Sequence, residues 1–315
     1  MFTWQIGQPL IGATLYWDAD ASGAGNLIDG TNLGGTGTWD TSTANWWNTS
    51  GMVAWPNAAA DIAIFSGPLP IDVPNLSTVT LSGGIQANQI RFERSGYTLT
   101  GGNITLAGAA PTLFANLGES ASIESLIQGS AGLIKEGGGT IRLAAGNPYT
   151  GVTTIKDGSL IITDKSALGP NTETSEIVVT GFNPAIGNAG LRSFGGGSLV
   201  LDGTGGNIEI TRGLSLQGQG PIADRGAALV SFGVNTLSGA VSMGGAAPGG
   251  TFFNTRIVAS DGTLNITGPL SILGTAATTI SNLGGVNQAG ASFYNITGAL
   301  LGTGTLEASG GGPSS

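Results

Sequence analysis

One five-residue phrase recurs through most of this chain: glycine, a small polar residue, a branched apolar residue, any residue, then an apolar one. It reads GNITL at 102–106, GTIRL at 139–143, GSLII at 158–162 and GSLVL at 197–201, then GTLNI at 262–266 and GTLEA at 304–308. The starts are 37, 19, 39, 65 and 42 residues apart. These intervals are close to multiples of a unit of about 20 residues, the size of one solenoid coil. Within each phrase apolar and polar residues alternate, so an extended strand turns one face inward and the other to solvent. A single coil cannot bury that inner face, whereas stacked coils share a continuous core. The expected fold is therefore all-β, a parallel β-helix. Roughly 230 residues at about 20 per coil would give about 11 coils and a rod on the order of 50 Å long.

Composition supports the same reading. Glycine accounts for 57 of 315 residues, more than twice the usual share of about 7%, and supplies the positive φ that tight corners require. Charged residues make up 9% and hydrophobic ones 40%, a balance opposite to that of disordered chains. A β-sandwich would also consist of short strands with frequent turns. The repeated phrase and the glycine content favour the solenoid. Helical periodicity is absent apart from a short piece at Asp164–Leu168.

Several classes of chemistry are excluded. The formal charge is −9, with ten basic residues spread over the chain, so the clustered cations that nucleic acid requires are lacking. The chain has no cysteine and no histidine, which removes disulfides, thiolate metal sites and the commonest general base. No run approaches 18 apolar residues, so no membrane-spanning helix is expected. The opening MFTWQIGQPLIGA lacks the basic start of a signal peptide.

All six tryptophans fall within the first 55 residues. With the Ser66-Gly67-Pro68 punctuation, this divides the chain into a Trp-rich N-terminal cap or β module at 1–67, a β-solenoid at 68–310 and a flexible tail at 311–315.

The segment 132–160 carries Gly132, Leu133, Lys135, Gly137, Gly139, Thr140, Leu143, Gly146, Asn147 and Tyr149 in order. Thr150, Gly151, Thr153, Thr154, Ile155, Gly158, Ser159 and Leu160 follow, and then Ala167-Leu168-Gly169. This order resembles one copy of the autotransporter-associated β-strand repeat, found in passenger regions of bacterial surface proteins. The run of Trp17-Asp18, Gly37–Asp40, Asn45-Trp46, Trp55 and Ala63–Phe65 resembles the region that precedes such repeats. The resemblance implies a right-handed parallel β-helix outside the cell or on its surface. It also implies a role in transport and extended surface structure, with no catalytic residue.

Two constellations are candidate sites. In 18-DADASGAGNLID-29, oxygen ligands at Asp18, Asp20, Ser22, Asn26 and Asp29, with Gly23 at the sixth place, follow the rhythm of a calcium loop. Calcium is thus the one cofactor this sequence suggests; the plain alternative is a polar turn. Trp39, Trp46, Trp47 and Trp55 form either a plug for the open end of the core or a stacking platform for sugars. Because Trp46 and Trp47 are adjacent, a strand would point one ring inward and leave the other outside.

The expected function is that of a secreted or cell-surface structural protein, a passenger-like solenoid that forms or decorates fibres or acts in adhesion. A carbohydrate-binding adhesin acting through the Trp-rich module is one alternative. A polysaccharide-active β-helix enzyme is another, with Asp202 and Asp224 about one coil apart near Arg212 and Arg225; the chain is read as non-enzymatic. Exposed strand edges at solenoid ends make self-association by end-to-end stacking the expected partnership. Surface glycans are a further expected partner; nucleic acid and a membrane span are not expected.

Overall fold

The computed structural model describes residues 12–67, 76–170, 172–180, 196–218, 220, 221, 224, 226–244, 255–273, 277–282, 292–302 and 305–310. Trp4, Arg225 and the tail 311–315 lie outside them.

Among the described residues, strands stack into two long sheets of 13 strands each. In the first, Thr14–Trp17, Ile62–Phe65, Gln89–Phe92, Thr112–Ala115, Leu133–Glu136 and Thr153–Ile155 follow one another in parallel. Ile177–Val179, Leu214–Leu216, Val241–Gly244, Leu270–Leu273 and Leu300–Gly302 continue that series. The second sheet alternates with the first along the chain. Its strands are Gly37–Trp39, Ser77–Ala87, Tyr97–Leu106, Ser120–Ile123, Thr140–Leu143 and Gly158–Ile162. Gly197–Ile210, Leu229–Leu237, Arg256–Ile266, Ala277–Asn282 and Thr305–Gly310 complete it, again all parallel. A chain that visits two sheets in turn and pairs each strand with the next coil is a parallel β-solenoid.

Alternation sets the core. Leu15 and Trp17, Ala63 and Phe65, Ile90 and Phe92, then Leu113 and Ala115 all point inward into one cluster that extends to Leu270 and Ile272. The Trp-rich segment contributes to both sheets and to this same core. At its end the short strands Trp46–Trp47 and Met52–Val53 turn antiparallel and close the edge of the first sheet.

Coil length is where the structure departs from the expected constant period. Ser159 sits beside Thr140, so the copies of the phrase at 139–143 and 158–162 are one coil apart, as their spacing suggests. Gly197 sits directly beside Gly158. The double-length interval between those two glycines therefore forms a single coil and not two. The GTLNI phrase occupies another position altogether. Gly262 pairs with Gly233, which pairs with Gly203, at a corner of the coil, whereas Gly197 starts a strand. The corner requires glycine. Gly262 has a φ of +100°, and a Cβ there would lie 2.3 Å from the carbonyl oxygen of Gly233.

The longer coils carry a second small core on the outside of the second sheet. Val200, Val230 and Val258, which face outward by alternation, are buried together with Ala227 against Ile161 and Phe232. The segment 164–168 is not helical. It is a turn in which Asp164 Oδ1 accepts from the Ser166 backbone N–H at 2.7 Å, an Asx turn that competes with helix formation.

Candidate functional site on the first coils

Three of the four tryptophans expected to stack on sugars are consumed by the core. Trp39, Trp46 and Trp55 are 0%, 0% and 1% exposed. Their rings pack on one another at 4.7 to 5.0 Å between centroids, and Trp17, Phe65, Phe92 and Tyr97 continue the aromatic stack. The expectation that one ring of the Trp46–Trp47 pair stays open is also corrected. Trp47 is on the other side of its strand but is only 9% exposed, because Tyr16 lies across it at 5.7 Å. No ring face among the four is left free for a pyranose.

Asp18 and Asn26 of the candidate calcium loop come together, the Asn26 Nδ2 donating to Asp18 Oδ2 at 2.6 Å, both residues buried. Burial raises the Asp18 carboxyl above its ordinary range, and the neighbouring Asp20 adds to the rise. Asp20 accepts from the Ser22 backbone N–H at 2.8 Å, and Asp29 accepts from the Thr31 N–H at 2.9 Å. These carboxylates are thus partnered by hydrogen-bond donors in local turns. Among the described residues no group of three or more acidic side chains converges as a metal site.

The acid pair proposed for catalysis does not form. Asp202 lies beside Phe232 of the next coil and caps its own turn through Thr204 Oγ1 at 2.6 Å. Asp224 accepts from Ser159 Oγ, and its carboxyl is raised by burial against the opposing pull of Ser159, Ser198 and Lys135. Arg212 is buried and donates from Nε to Ser175 O at 2.6 Å, from Nη2 to Gly151 O at 2.8 Å, and from Nη1 to Leu168 O. It is a staple between coils.

Lys135 is a second buried cation, its burial unforeseen in the repeat. Its ammonium donates to Glu136 O at 3.0 Å, Gly137 O at 2.7 Å and Asp157 O at 2.9 Å, so all three N–H bonds go to carbonyls of two coils. Burial pulls its pKa down to about 7, against the attraction of Asp157, Asp224 and Glu136.

Chemistry directed at solvent gathers elsewhere, on the outward face of the first sheet. Tyr16 is paired with Trp47 on one side and Ile64 on the other, Ile64 with Arg91, and Arg91 with Phe114. The guanidinium of Arg91 lies 4.3 Å from the centre of the Phe114 ring, and its Nε bonds Glu93 Oε1 at 2.9 Å. Later coils carry Ser215, Ser242 and Ser271 on the outward side of the same sheet. An alternation reading could have found this column, since Tyr16, Ile64, Arg91 and Phe114 each sit midway between two core residues.

The family model of the passenger-associated-transport repeat matches residues 133–162. Over 297 residues, 90% of this chain, the sequence is 32% identical to the protein described as "Adhesin BmaC autotransporter" of Brucella suis biovar 1, covering 8% of that protein. Over 137 residues, 42% of this chain, it is 31% identical to the "Neisserial autotransporter lipoprotein NalP" of Neisseria meningitidis serogroup B, covering 12% of it. The chain therefore spans only a small part of the length of the curated relatives it matches. No solved structure matches. Residues 133–162 match the passenger-associated-transport repeat, and they lie in a parallel β-solenoid that is similar along most of its length to a segment of a protein named as an autotransporter adhesin.

Proposed function

We propose that this chain is an adhesive, non-enzymatic segment of a bacterial surface passenger, holding contact residues on a stiff stack of coils. The observation that carries the reading is the alignment of 90% of the chain with part of a protein named as an autotransporter adhesin. The setting is the bacterial cell surface or the extracellular medium. The physical basis is the solenoid itself. Each coil contributes a short outward row of side chains at about 4.8 Å spacing, and a continuous core keeps the rows in register. The purified chain is expected to bind host-cell monolayers saturably and to compete with bacteria that carry the full passenger. Binding no greater than that of an unrelated β-solenoid of similar charge would contradict the proposal.

A further inference from the structure

The first coil buries a carboxyl that no cationic side chain neutralises. Asp18 is 1% exposed, and among the described residues no lysine or arginine pairs with it. Its carboxyl accepts from the Asn26 amide and the Gly23 backbone N–H, and it shares a hydrogen bond with Asp20, a second acid. A buried carboxylate is costly without a counter-charge, and a like charge beside it adds to the cost. The amides around Asp18 supply an independent observation. The side-chain oxygens of Asn26 and Asn45 are buried, and neither accepts a hydrogen bond among the described residues. Buried polar atoms without a partner are rare in folded proteins and call for an explanation. Both residues sit against Asp18. The Asn26 amide lies 2.6 Å from the Asp18 carboxylate. The Asn45 carbonyl accepts from the Asp18 backbone N–H at 3.0 Å. The antiparallel register of Tyr16 with Trp47 and Trp17 with Trp46, carried one residue further, sets Asn45 opposite Asp18 on the same face.

We propose that Asp18, Asp20, Asn26 and Asn45 hold a calcium ion, with backbone carbonyls and water completing the roughly six to eight oxygens that calcium takes. Two carboxylates match the charge of a divalent ion, and the two amide oxygens gain the partner they otherwise lack. An all-oxygen set suits a hard cation and not a transition metal, which favours nitrogen or sulfur. Calcium is favoured over magnesium because the donors come from an irregular loop and a strand end, whereas magnesium demands near-octahedral geometry and gives up its water reluctantly. Asp20 is exposed, so one side of the site faces the medium. The set differs from the loop rhythm of the sequence: Asp29 is exposed and accepts from the Thr31 N–H, and Asn45 joins from beyond the loop. An ion held there ties the end of strand Thr14–Trp17 to the loop that follows it and to the approach to Trp46–Trp47. It thereby fastens the cap over the aromatic cluster.

The site is independent of adhesion and is tested by itself. The intact chain, treated with chelator and dialysed, is titrated with calcium and with magnesium by calorimetry. Terbium, a luminescent stand-in for calcium, is added in parallel; Trp17 and Trp46 adjoin Asp18 and Asn45 in the sequence and should sensitise its emission. Calcium is expected to bind with a Kd of about 0.1–1 mM, the range of extracellular calcium modules, and to raise the melting temperature by several degrees. Asp18→Asn, which keeps the side-chain shape, should weaken binding at least ten-fold and abolish the calcium-dependent rise. Asp20→Asn, at an exposed position, should weaken it several-fold, and Asp29→Asn should leave it unchanged. Circular dichroism checks that each variant is folded. No heat and no sensitised emission at millimolar ion overturns the proposal. So does equal affinity for magnesium, or unchanged calcium affinity in folded Asp18→Asn and Asp20→Asn.

Discussion

At the residue scale, the notable groups are two cations in the interior. Arg212 and Lys135 are both buried, and each donates to carbonyls of more than one coil. A carbonyl left without its donor costs about 1–3 kcal/mol, so Arg212→Met should lower unfolding free energy by about 3 kcal/mol or more in urea titration. Lys135 makes a pH-dependent prediction. Its pKa falls from 10.5 to about 7 on burial, so between those values the unfolded chain binds more protons than the folded one. Stability attributable to this group must then rise as pH increases from about 7 toward 10.5. Urea titrations at pH 7, 8 and 9 are expected to show that rise, and Lys135→Met to flatten it. An identical slope in the variant would show that Lys135 does not titrate in this range. Neither cation announced its burial in the sequence. Lys135 stands at an inward position of an alternating strand, Leu133–Glu136, but a lone lysine is ordinarily read as solvated because burial of its charge is costly without partners. Those partners are carbonyls, which every residue has and no composition reveals.

At the scale of elements, alternation and glycine were legible, and coil length was not. GTIRL at 139–143 alternates cleanly and forms a strand with one buried side. In GSLVL at 197–201, Leu199, Val200 and Leu201 are apolar in succession, and all are buried because the sheet is covered on both sides. That run was the available sign of an outer layer, and with it of a coil longer than the basic unit. The regular spacing masked it. Corner glycines give a contrast that can be measured. Gly262→Ala must adopt a positive φ and places its Cβ against the Gly233 carbonyl, a cost of about 1–3 kcal/mol. Gly205→Ala meets nothing within 4 Å and should stay within about 0.5 kcal/mol of the parent. Thermal melts of the two variants side by side test the corner assignment. Equal melting temperatures would refute it.

At the scale of the whole molecule, the N-terminal aromatic cluster closes one end of a core that runs from coil to coil. A solenoid gains stability from nearest-neighbour contacts, so loss at an end is felt mainly by the adjoining coils. Trp46→Ala removes the ring that touches Trp17, Trp39, Trp55 and Phe65 and should cost about 3–5 kcal/mol. Hydrogen exchange should increase most in strands Thr14–Trp17, Gly37–Trp39 and Ile62–Phe65 and least beyond Leu229. Uniform loss of protection would contradict this local character. The tryptophans were visible as a cluster from the sequence, but their choice between plug and platform was not, because both need large aromatic rings. Burial puts Trp39, Trp46 and Trp55 in the core, and Tyr16 covers Trp47 on the other side of its strand. The central claim, a passenger solenoid that adheres, is tested most directly by displaying this chain on an otherwise non-adherent bacterium and counting cells retained on host monolayers. Retention well above that of the same host displaying the Trp46→Ala variant is the predicted result. Equal retention by cells with and without the displayed chain, at matched surface levels, would contradict it.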